Sequence, residues 1–388
     1  MTTEWKKESL NQICRIGDGA HASLKRQTEG ILYLTAKNIT QTGIDLTTVD
    51  YIDEKTFEHH FTEKSSTVSC PKEGDILYSI IGSVGGCYIV KKETIGISSS
   101  VAIFRPDKNK INNLFLYYYI KSPFFYNSIL AIKTGAAQGF MSLGKLGSIE
   151  VKYPESLETQ QKIAGILSAY DDLIENNRKQ IKLLEEAAQK LYKEWFVKLN
   201  FPGHENVKIV DGLPEGWKKG VLSELGEFKR GKTITKEQTI KGFVPVVAGG
   251  LKPAYYHNKS NTESPVITVS GSGANAGFTR MYCEKIWASD CSFLDVSKCH
   301  HLYFVYCVLK ESKAKIDNLQ KGAAQPHVYA KDLNALNILI PHKGIMDRYE
   351  EITKPYFEKI FNSQLSILNL QSVRDRLLPR LMNGEIDV

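Results

Sequence analysis

Two stretches of the chain place residues at alternating steps of four and three. The first stretch contains Ile163, Leu167, Tyr170, Ile174, Asn177, Ile181, Leu184, Ala188, Leu191 and Trp195. The second contains Tyr356, Ile360, Ser363, Ile367, Leu370, Arg374, Leu377 and Leu381. This spacing is that of the core positions of a coiled coil. It predicts two long helices, over residues 157–198 and 343–388, that pair with each other. Pro355 is expected to break or kink the second helix, and Pro379 with Gly384 to close it.

The segments before these helices, residues 1–156 and 199–342, have a different pattern. Short apolar runs bounded by Gly, Ser and Asn predict strands at residues 31–34, 75–80, 101–104, 149–153, 244–247, 266–269 and 336–340. Helices are predicted over residues 113–122 and near residues 302–311. We therefore expect an α+β fold, with two globular mixed domains in a pseudo-twofold arrangement, separated by the two long antiparallel helices.

The two halves of the chain repeat each other at their borders. Gly135-Ala-Ala-Gln138 recurs as Gly322-Ala-Ala-Gln325, and Trp5-Lys-Lys recurs as Trp217-Lys-Lys. The Gly82–Gly86 turn corresponds only loosely to the Gly271–Gly277 turn. Small residues in such turns allow either close approach to a phosphate or merely a tight turn. The borders predict a duplicated architecture, and the divergent interiors predict that the two domains recognise different things.

Composition and charge narrow the class of protein. No apolar run approaches the roughly 18 residues that a membrane-spanning helix needs, and the first ten residues do not resemble a signal peptide, so a cytoplasmic protein is expected. The net charge of +7 is unevenly spread. Segments 1–156, 157–198, 199–342 and 343–388 carry +2, 0, +5 and 0. This surplus permits nucleic-acid binding without requiring it.

Two patterns in the sequence could indicate a nucleotide-binding site or a metal site. Residues 226–233 match the phosphate-loop pattern of nucleotide hydrolases, but a poor strand precedes them and a poor helix opening follows. The last four of seven cysteines are spaced by eight residues and have His300 and His301 among them. Without a C-x-x-C pair, buried thiols explain them better than zinc, so no metal site is predicted. No other catalytic motif occurs, which favours a binding protein over an enzyme.

Loops that mix cationic, amide and aromatic side chains are candidates for DNA contact. Lys and Arg neutralise phosphates, while Arg, Asn, Gln and His pair with base edges. Any solvated loop has a similar composition, so for each residue simple exposure remains an alternative. The candidates are His21, Lys25, Arg26, Lys37, Asn38, Ser83, Gln138, Lys229, Arg230, Lys232, Tyr255, Tyr256, Ser272, Asn275, Gln325 and His327.

The chain resembles the specificity subunits of type I restriction-modification enzymes. The most distinctive segments are Gln160–Leu167 and Arg374–Gly384, with support from Gly17–His21, Leu213–Trp217 and Trp287–Asp290. The second half departs from the first by having Asp347-Arg348 in place of Gln160-Gln161.

This resemblance implies two target-recognition domains, residues 1–156 and 199–342, that read the halves of a bipartite, asymmetric double-stranded DNA site. It implies that two modification subunits dock on the paired helices and that restriction subunits join through them. Catalysis, with S-adenosylmethionine, ATP and Mg²⁺, would then reside in those partners, leaving this chain no cofactor and no catalytic residue. The alternatives are a helical scaffold with protein-binding ends and, more weakly, a phosphate-loop NTPase.

Overall fold

The computed structural model describes residues 4–41, 43–62, 68–82, 84–133, 141–320 and 326–388. The chain forms two compact units. Unit 1 comprises residues 1–174 and 368–388, and unit 2 comprises residues 175–367. The boundaries fall inside two long helices, so each unit contains part of both. No helix in the described ranges has the length and apolarity to cross a membrane.

Unit 1 is a mixed α/β unit built around four small sheets. Its strands are β1 Trp5–Ser9, β2 Cys14–Asp18, β3 Ile31–Leu34, β4 Ile39–Thr40, β5 Gly43–Ile44, β6 Asp50–Ile52, β7 Ile76–Ser79, β8 Cys87–Ile89, β9 Ile95–Ile97, β10 Val101–Pro106 and β11 Glu150–Pro154. Its helices are α1 Leu10–Ile13, α2 Glu54–His60, α3 Asn113–Lys121, α4 Pro123–Lys133, α5 Leu143–Gly147 and the first part of α6 Leu157–Tyr192.

The sheets of unit 1 have a simple order. Four antiparallel strands lie in the order β2-β10-β7-β8, and a second sheet has the order β6-β3-β9 with β3 parallel to β9. The first strand of the unit pairs with its last strand in the β1-β11 sheet, and β4 and β5 form a hairpin. Helix α3 packs its buried face, including Phe115 and Leu116, into the same core as Ile163 and Leu167 of α6 and Leu381 of the C-terminal helix.

Unit 2 contains the following strands: β12 Ile209–Val210, β13 Leu213–Pro214, β14 Lys218–Val221, β15 Lys229–Arg230, β16 Val244–Val247, β17 Tyr255–His257, β18 Val266–Ser270, β19 Thr279–Tyr282, β20 Trp287–Ala288, β21 Cys291–Asp295 and β22 Asn337–Ile340. Its helices are α7 Leu302–Glu311, α8 Lys313–Asp317, α9 Ala330–Asn334 and most of α10 Lys343–Met382. A π-helical turn, Lys193–Val197, follows α6.

The sheets of unit 2 repeat the strand order of unit 1. The sheet β15-β21-β18-β19 corresponds to β2-β10-β7-β8, β17-β16-β20 to β6-β3-β9, and β14-β22 to β1-β11. The directions agree as well, because β16 is antiparallel to β17 and parallel to β20. The predicted α+β fold is thus confirmed in each unit, and the shared strand order confirms the predicted duplication. The helices predicted near residues 113–122 and 302–311 are α3 and α7.

The two long helices pack through the residues that the periodicity indicated. In unit 2, Ile360 of α10 shares one core with Ala188 and Tyr192 of α6, and the hydroxyl of Tyr349 donates to the Ala188 carbonyl at 2.9 Å. The expected break at Pro355 is wrong, because α10 continues from Lys343 to Met382. Proline removes one helical hydrogen bond, and we attribute the continuity to the buried side chains on either side of it, such as Tyr349 and Phe357. The predicted close of this helix is confirmed, because α10 ends at Met382, between Pro379 and Gly384, and Gly384 has a positive φ of 81°.

Candidate nucleic-acid interface

The first strand of the main sheet in unit 2 exposes two cations. Lys229 and Arg230 form β15, which pairs at the sheet edge with β21, and both side chains are exposed. The chain then passes over β20 at Gly231, where a Cβ would lie 2.3 Å from the Ser289 carbonyl oxygen. Only glycine fits this crossing. It brings the backbone N–H of Lys232 to 2.9 Å from the Ala288 carbonyl and leaves the Lys232 side chain in solvent.

Three predicted residues come together beside this strand. The Ser272 hydroxyl donates to the carboxylate of Asp290, whose other oxygen lies 3.9 Å from the Arg230 guanidinium. Residue 327 forms a β-bridge with Ser272, and the His327 ring stacks on Tyr329 with centroids 5.9 Å apart. Arg230 and His327 thus line one small recess with Asp290 and Tyr329, and Ser272 is joined to it through its hydrogen bond to Asp290. Such a set offers donors, acceptors and an aromatic face to a base edge.

Asp290 and Tyr329 were not among the candidates. They lie in separate loops of the sequence, and only the fold brings them to Arg230. Asp290 is the last residue of Trp287–Asp290, one of the segments on which the family resemblance rests. That position was the one signal in the sequence that could have identified it as a candidate.

Asn275 lies in the turn that follows Ser272. It ends a single helical turn that starts at Gly273, and its carbonyl accepts from the Phe278 N–H at 2.9 Å. The N–H groups of Gly273 and Gly277 donate to Pro326 and Ser270 carbonyls. These donors are therefore used inside the protein, which favours the tight-turn interpretation over a phosphate cradle.

The two tyrosines of β17 differ in their surroundings. Tyr255 is half-buried and its hydroxyl donates to the Ile234 carbonyl, so it supports the loop after Lys232. Tyr256 points the other way, as alternation along a strand requires, and is 55% exposed. Tyr256 is thus the one of the pair with an aromatic face free for a ligand.

The candidate residues of unit 1 are more strongly engaged with neighbours. The exposed His21 ring lies 3.1 Å from the Asp18 carboxylate. The Arg26 guanidinium lies 4.0 Å above the Tyr33 ring and 3.5 Å from Asp50. Lys25 and Lys37 have exposed side chains. The loop therefore carries cations whose charge is partly balanced within the protein.

Asn38 is buried, with 2% of its surface exposed. Its carbonyl oxygen accepts from the Thr35 N–H at 3.0 Å, and its amide donates to the carbonyls of Asp45 and Thr48. The side chain holds the loop between β4 and β6 in shape and presents no free polar atom to a ligand. We therefore leave Asn38 out of the proposed contact set. The candidates Ser83, Gln138 and Gln325 lie outside the described residues.

The corresponding segments of the two units differ in charge. From β15 through β17, residues 229–257 hold six Lys and Arg and a single acidic residue, a net charge of +5. From β2 through β6, residues 14–52 hold four of each, a net charge of zero. The surplus that composition located in the second domain is thus concentrated in one segment of unit 2.

The structure weakens the nucleotide and metal alternatives. Behind the phosphate-loop match, the chain runs as an irregular loop with a single turn at Lys236–Gln238, so no helix N-terminus faces a phosphate there. Burial raises the pKa of Cys291, Cys299 and Cys307 to about 12, which disfavours the thiolate that a metal needs.

The two histidines near these cysteines lie beside an acid. His301 Nε2 lies 2.8 Å and His300 Nε2 3.9 Å from one Asp347 oxygen, while Lys343 Nζ lies 2.7 Å from the other. The lysine and His301 pull the pKa of Asp347 down to about 2. We read this group as an ion-pair network at the start of α7.

Comparison with known proteins gives a consistent result. Residues 2–186 and 214–364 match the family model of the type I restriction modification DNA specificity domain. The type I restriction enzyme MjaIX specificity subunit of Methanocaldococcus jannaschii is 28% identical over 99% of this chain and 94% of its own. The HindI specificity subunit of Haemophilus influenzae is 24% identical over 81% and 87%. A crystal structure of the S subunit of a type I restriction-modification system from M. genitalium has the same fold, with a TM-score of 0.62, 16% identity and coverage of 98% and 99%.

Proposed function

The chain belongs to the type I restriction modification DNA specificity family, and from this premise we propose that it reads a bipartite DNA site, one half with each unit. The recognition domains are residues 1–156 and 199–342, and the helical regions are residues 157–198 and 343–388. In this proposal the chain is a specificity subunit and performs no catalysis itself. Its ligand, double-stranded DNA, places its action in the cytoplasm.

The observation that carries this proposal is the combination of one topology with two different surfaces. Both units have the same sheet orders, while the segments from β2 to β6 and from β15 to β17 differ in charge by five. A shared scaffold with divergent loops is the arrangement expected of two readers of unlike sequences. The two half-sites should therefore differ.

The proposed contacts fall into two classes. In unit 2, Arg230, Ser272 and His327 face base edges together with Asp290 and Tyr329, while Lys229 and Lys232 contact phosphates. In unit 1, His21, Lys25, Arg26 and Lys37 form the corresponding set. Tyr255, Asn275 and the candidates beyond the described ranges, Ser83, Gln138 and Gln325, complete the proposal as supports or further contacts.

The long helices are the proposed docking surface for two modification subunits, with restriction subunits joining through them. Several large apolar side chains on α6 and α10 are exposed, for example Leu173 at 49%, Leu183 at 64% and Leu368 at 57%. In this proposal, a docked partner covers these apolar side chains. Methyl transfer from S-adenosylmethionine and the ATP-dependent and Mg²⁺-dependent steps then belong to those partners.

Selection from a library of random duplexes tests this function. The full chain is used alone and together with a modification subunit. We expect enrichment of two short unlike motifs at a fixed separation, with affinity that falls steeply as salt rises. Mapping of methylated adenines in cells with both subunits should return the same site. A chain that binds the modification subunit but enriches no duplex would instead be a protein scaffold.

A further inference from the structure

One phenylalanine of unit 2 is almost wholly in solvent. Phe243 is 94% exposed, compared with 64% for Leu183 and 63% for Ile209, which are next among the large apolar residues that the structure describes. It lies directly before β16, the central strand of its sheet. A side chain with this exposure contributes little to the stability of the fold and is accessible to a partner outside the chain.

Compared with the corresponding segment of unit 1, unit 2 has one additional residue before its strand, and this residue is Phe243. In both units a glycine crosses the end of the neighbouring strand. A Cβ on Gly30 would lie 2.6 Å from the Ile52 carbonyl oxygen, and one on Gly242 would lie 2.3 Å from that of His257. In unit 1 the strand begins at the next residue, whereas in unit 2 Phe243 intervenes before β16 starts. The extra residue is thus presented at a point that the glycine fixes.

Hydrogen bonds and ring packing fix the loop that carries Phe243. The Ile240 N–H donates to His257 Nδ1 at 3.0 Å, and the buried His257 ring packs edge-on against Trp287 at 5.2 Å. The Trp287 indole N–H donates to the Lys232 carbonyl at 2.7 Å. One network therefore supports both the loop of Phe243 and the loop of Lys232. A supported loop loses little conformational entropy when its tip binds a ligand.

The charges on the loops that carry and support Phe243 point to the kind of partner. Lys232, Lys236, Lys241 and Lys259 are exposed, and throughout the described ranges none of them has a carboxylate within the 4 Å of an ion pair. Tyr256 adds a second exposed aromatic ring on the adjacent strand. Unpaired lysines around an aromatic residue fit a polyanion that also offers flat apolar surfaces. A nucleic acid duplex has both, since phosphates flank its stacked bases.

Resting on the proposed function, we infer that Phe243 is a wedge that enters a base step in the half-site of unit 2 and partly unstacks it. The surrounding lysines hold the phosphates on either side while the ring replaces part of the lost stacking. Pyrimidine–purine steps unstack most easily. The half-site read by unit 2 should therefore contain or adjoin such a step, and unit 1 has no corresponding wedge among its described residues.

The test uses the full chain and the duplex that the library selection returns. 2-Aminopurine is placed at successive positions of each half-site, because its fluorescence rises when it is unstacked. We expect one bright position, in one half-site only. Phe243→Ala should abolish that signal and weaken binding by about tenfold, while leaving the slope of affinity against salt unchanged. Phe243→Leu, which keeps an apolar wedge, should retain part of both.

Two matched variants serve as controls. Ile209→Ala removes another exposed apolar residue of the same unit and should change neither readout. Lys241→Ala should lower the salt slope by about 0.9 without removing the bright position.

Three outcomes would overturn the wedge in different ways. Unchanged affinity and fluorescence in Phe243→Ala would refute it while leaving the proposed function intact. A Phe243→Ala variant that loses only its binding to the modification subunit would show that this residue faces a protein. A wild-type chain that prefers no duplex, alone or with the modification subunit, would overturn the wedge and the proposed function together.

Discussion

The two units share one topology but use their charges differently. Unit 1 holds charges inside ion pairs, such as the Arg374–Asp171 pair between its helix segments and the Arg105–Asp75 pair, which joins β10 to the residue before β7 at 2.7 Å. Unit 2 leaves a run of lysines exposed in the segment from β15 to β17. The comparison shows that the same fold accommodates different distributions of charge, so the surface of each unit can be complementary to a different ligand.

The helix contacts show the same difference. At an offset of 186 residues, Asp171 and Arg374 of unit 1 correspond to Phe357 and Ala188 of unit 2. In unit 1, Asp171 accepts hydrogen bonds from Arg374 and from the Tyr118 hydroxyl of α3. In unit 2, Phe357 stacks on Tyr303 of α7 with centroids 4.5 Å apart. An ion pair in unit 1 and an aromatic stack in unit 2 thus occupy corresponding positions, where α3 and α7 respectively contact the long helices.

Breaking the ionic joint should have the largest effect. Arg374→Ala leaves the Asp171 carboxylate, which is 29% exposed, without its cation, and we expect unit 1 to lose about 3 kcal/mol of stability. Hydrogen exchange in α3 should accelerate while exchange in α7 stays unchanged. The double variant Asp171→Leu with Arg374→Leu should recover most of the loss, since no unpaired charge remains. Equal loss of protection in both units would contradict this description.

The difference in surface charge predicts unequal effects on DNA affinity. Lys232→Ala with Lys241→Ala should lower the salt slope by about 1.8 and the affinity at 0.15 M salt by about thirtyfold. The matched pair in unit 1, Lys25→Ala with Arg26→Ala, should cost less, because Arg26 already contacts Tyr33 and Asp50. Salt titrations of both variants measure this directly. Equal slopes in the two variants would remove the electrostatic distinction between the units.

The starts of α3 and α7 predict a smaller, pH-dependent contrast. Gln160, a neutral amide, accepts from the Asn112 N–H at 2.7 Å in unit 1, whereas Glu350 accepts from the Phe304 N–H at 2.7 Å in unit 2. Burial raises the pKa of Glu350 from 4.5 to about 7. Between these values the folded state holds a proton that the unfolded chain has released, so stability falls as pH rises through this range.

Glu350→Gln should remove this fall. We expect a gain on the order of 1 kcal/mol at pH 8 and little change at pH 5, measured by thermal unfolding of the full chain. Burial lowers the pKa of His301, which makes stability fall toward acid pH in both variant and wild type. Glu351→Gln, at an exposed position one residue further along α10, is the control. A gain at pH 5 equal to that at pH 8 would rule out titration of Glu350 as the cause.

The sequence allowed the long helices and the duplication to be predicted, because heptad spacing and repeated borders are local signals. The matching sheet orders could not be predicted from the sequence, because corresponding strands such as β3 and β16 consist of different residues. Asn38 illustrates a second limit, because a polar loop residue looks alike whether it faces solvent or fixes a turn. The recess around Arg230 shows the third limit. Asp290 and Tyr329 reach it from distant loops, so no spacing along the chain could reveal them.

The central claim is that each unit reads its own half of the site. Library selection with the variant Arg230→Ala and His327→Ala tests it most directly, because both side chains face the recess of unit 2. The account predicts that one half of the enriched motif becomes degenerate while the other half and the separation stay the same. A motif that is unchanged in both halves, or one that degrades equally in both, would contradict it.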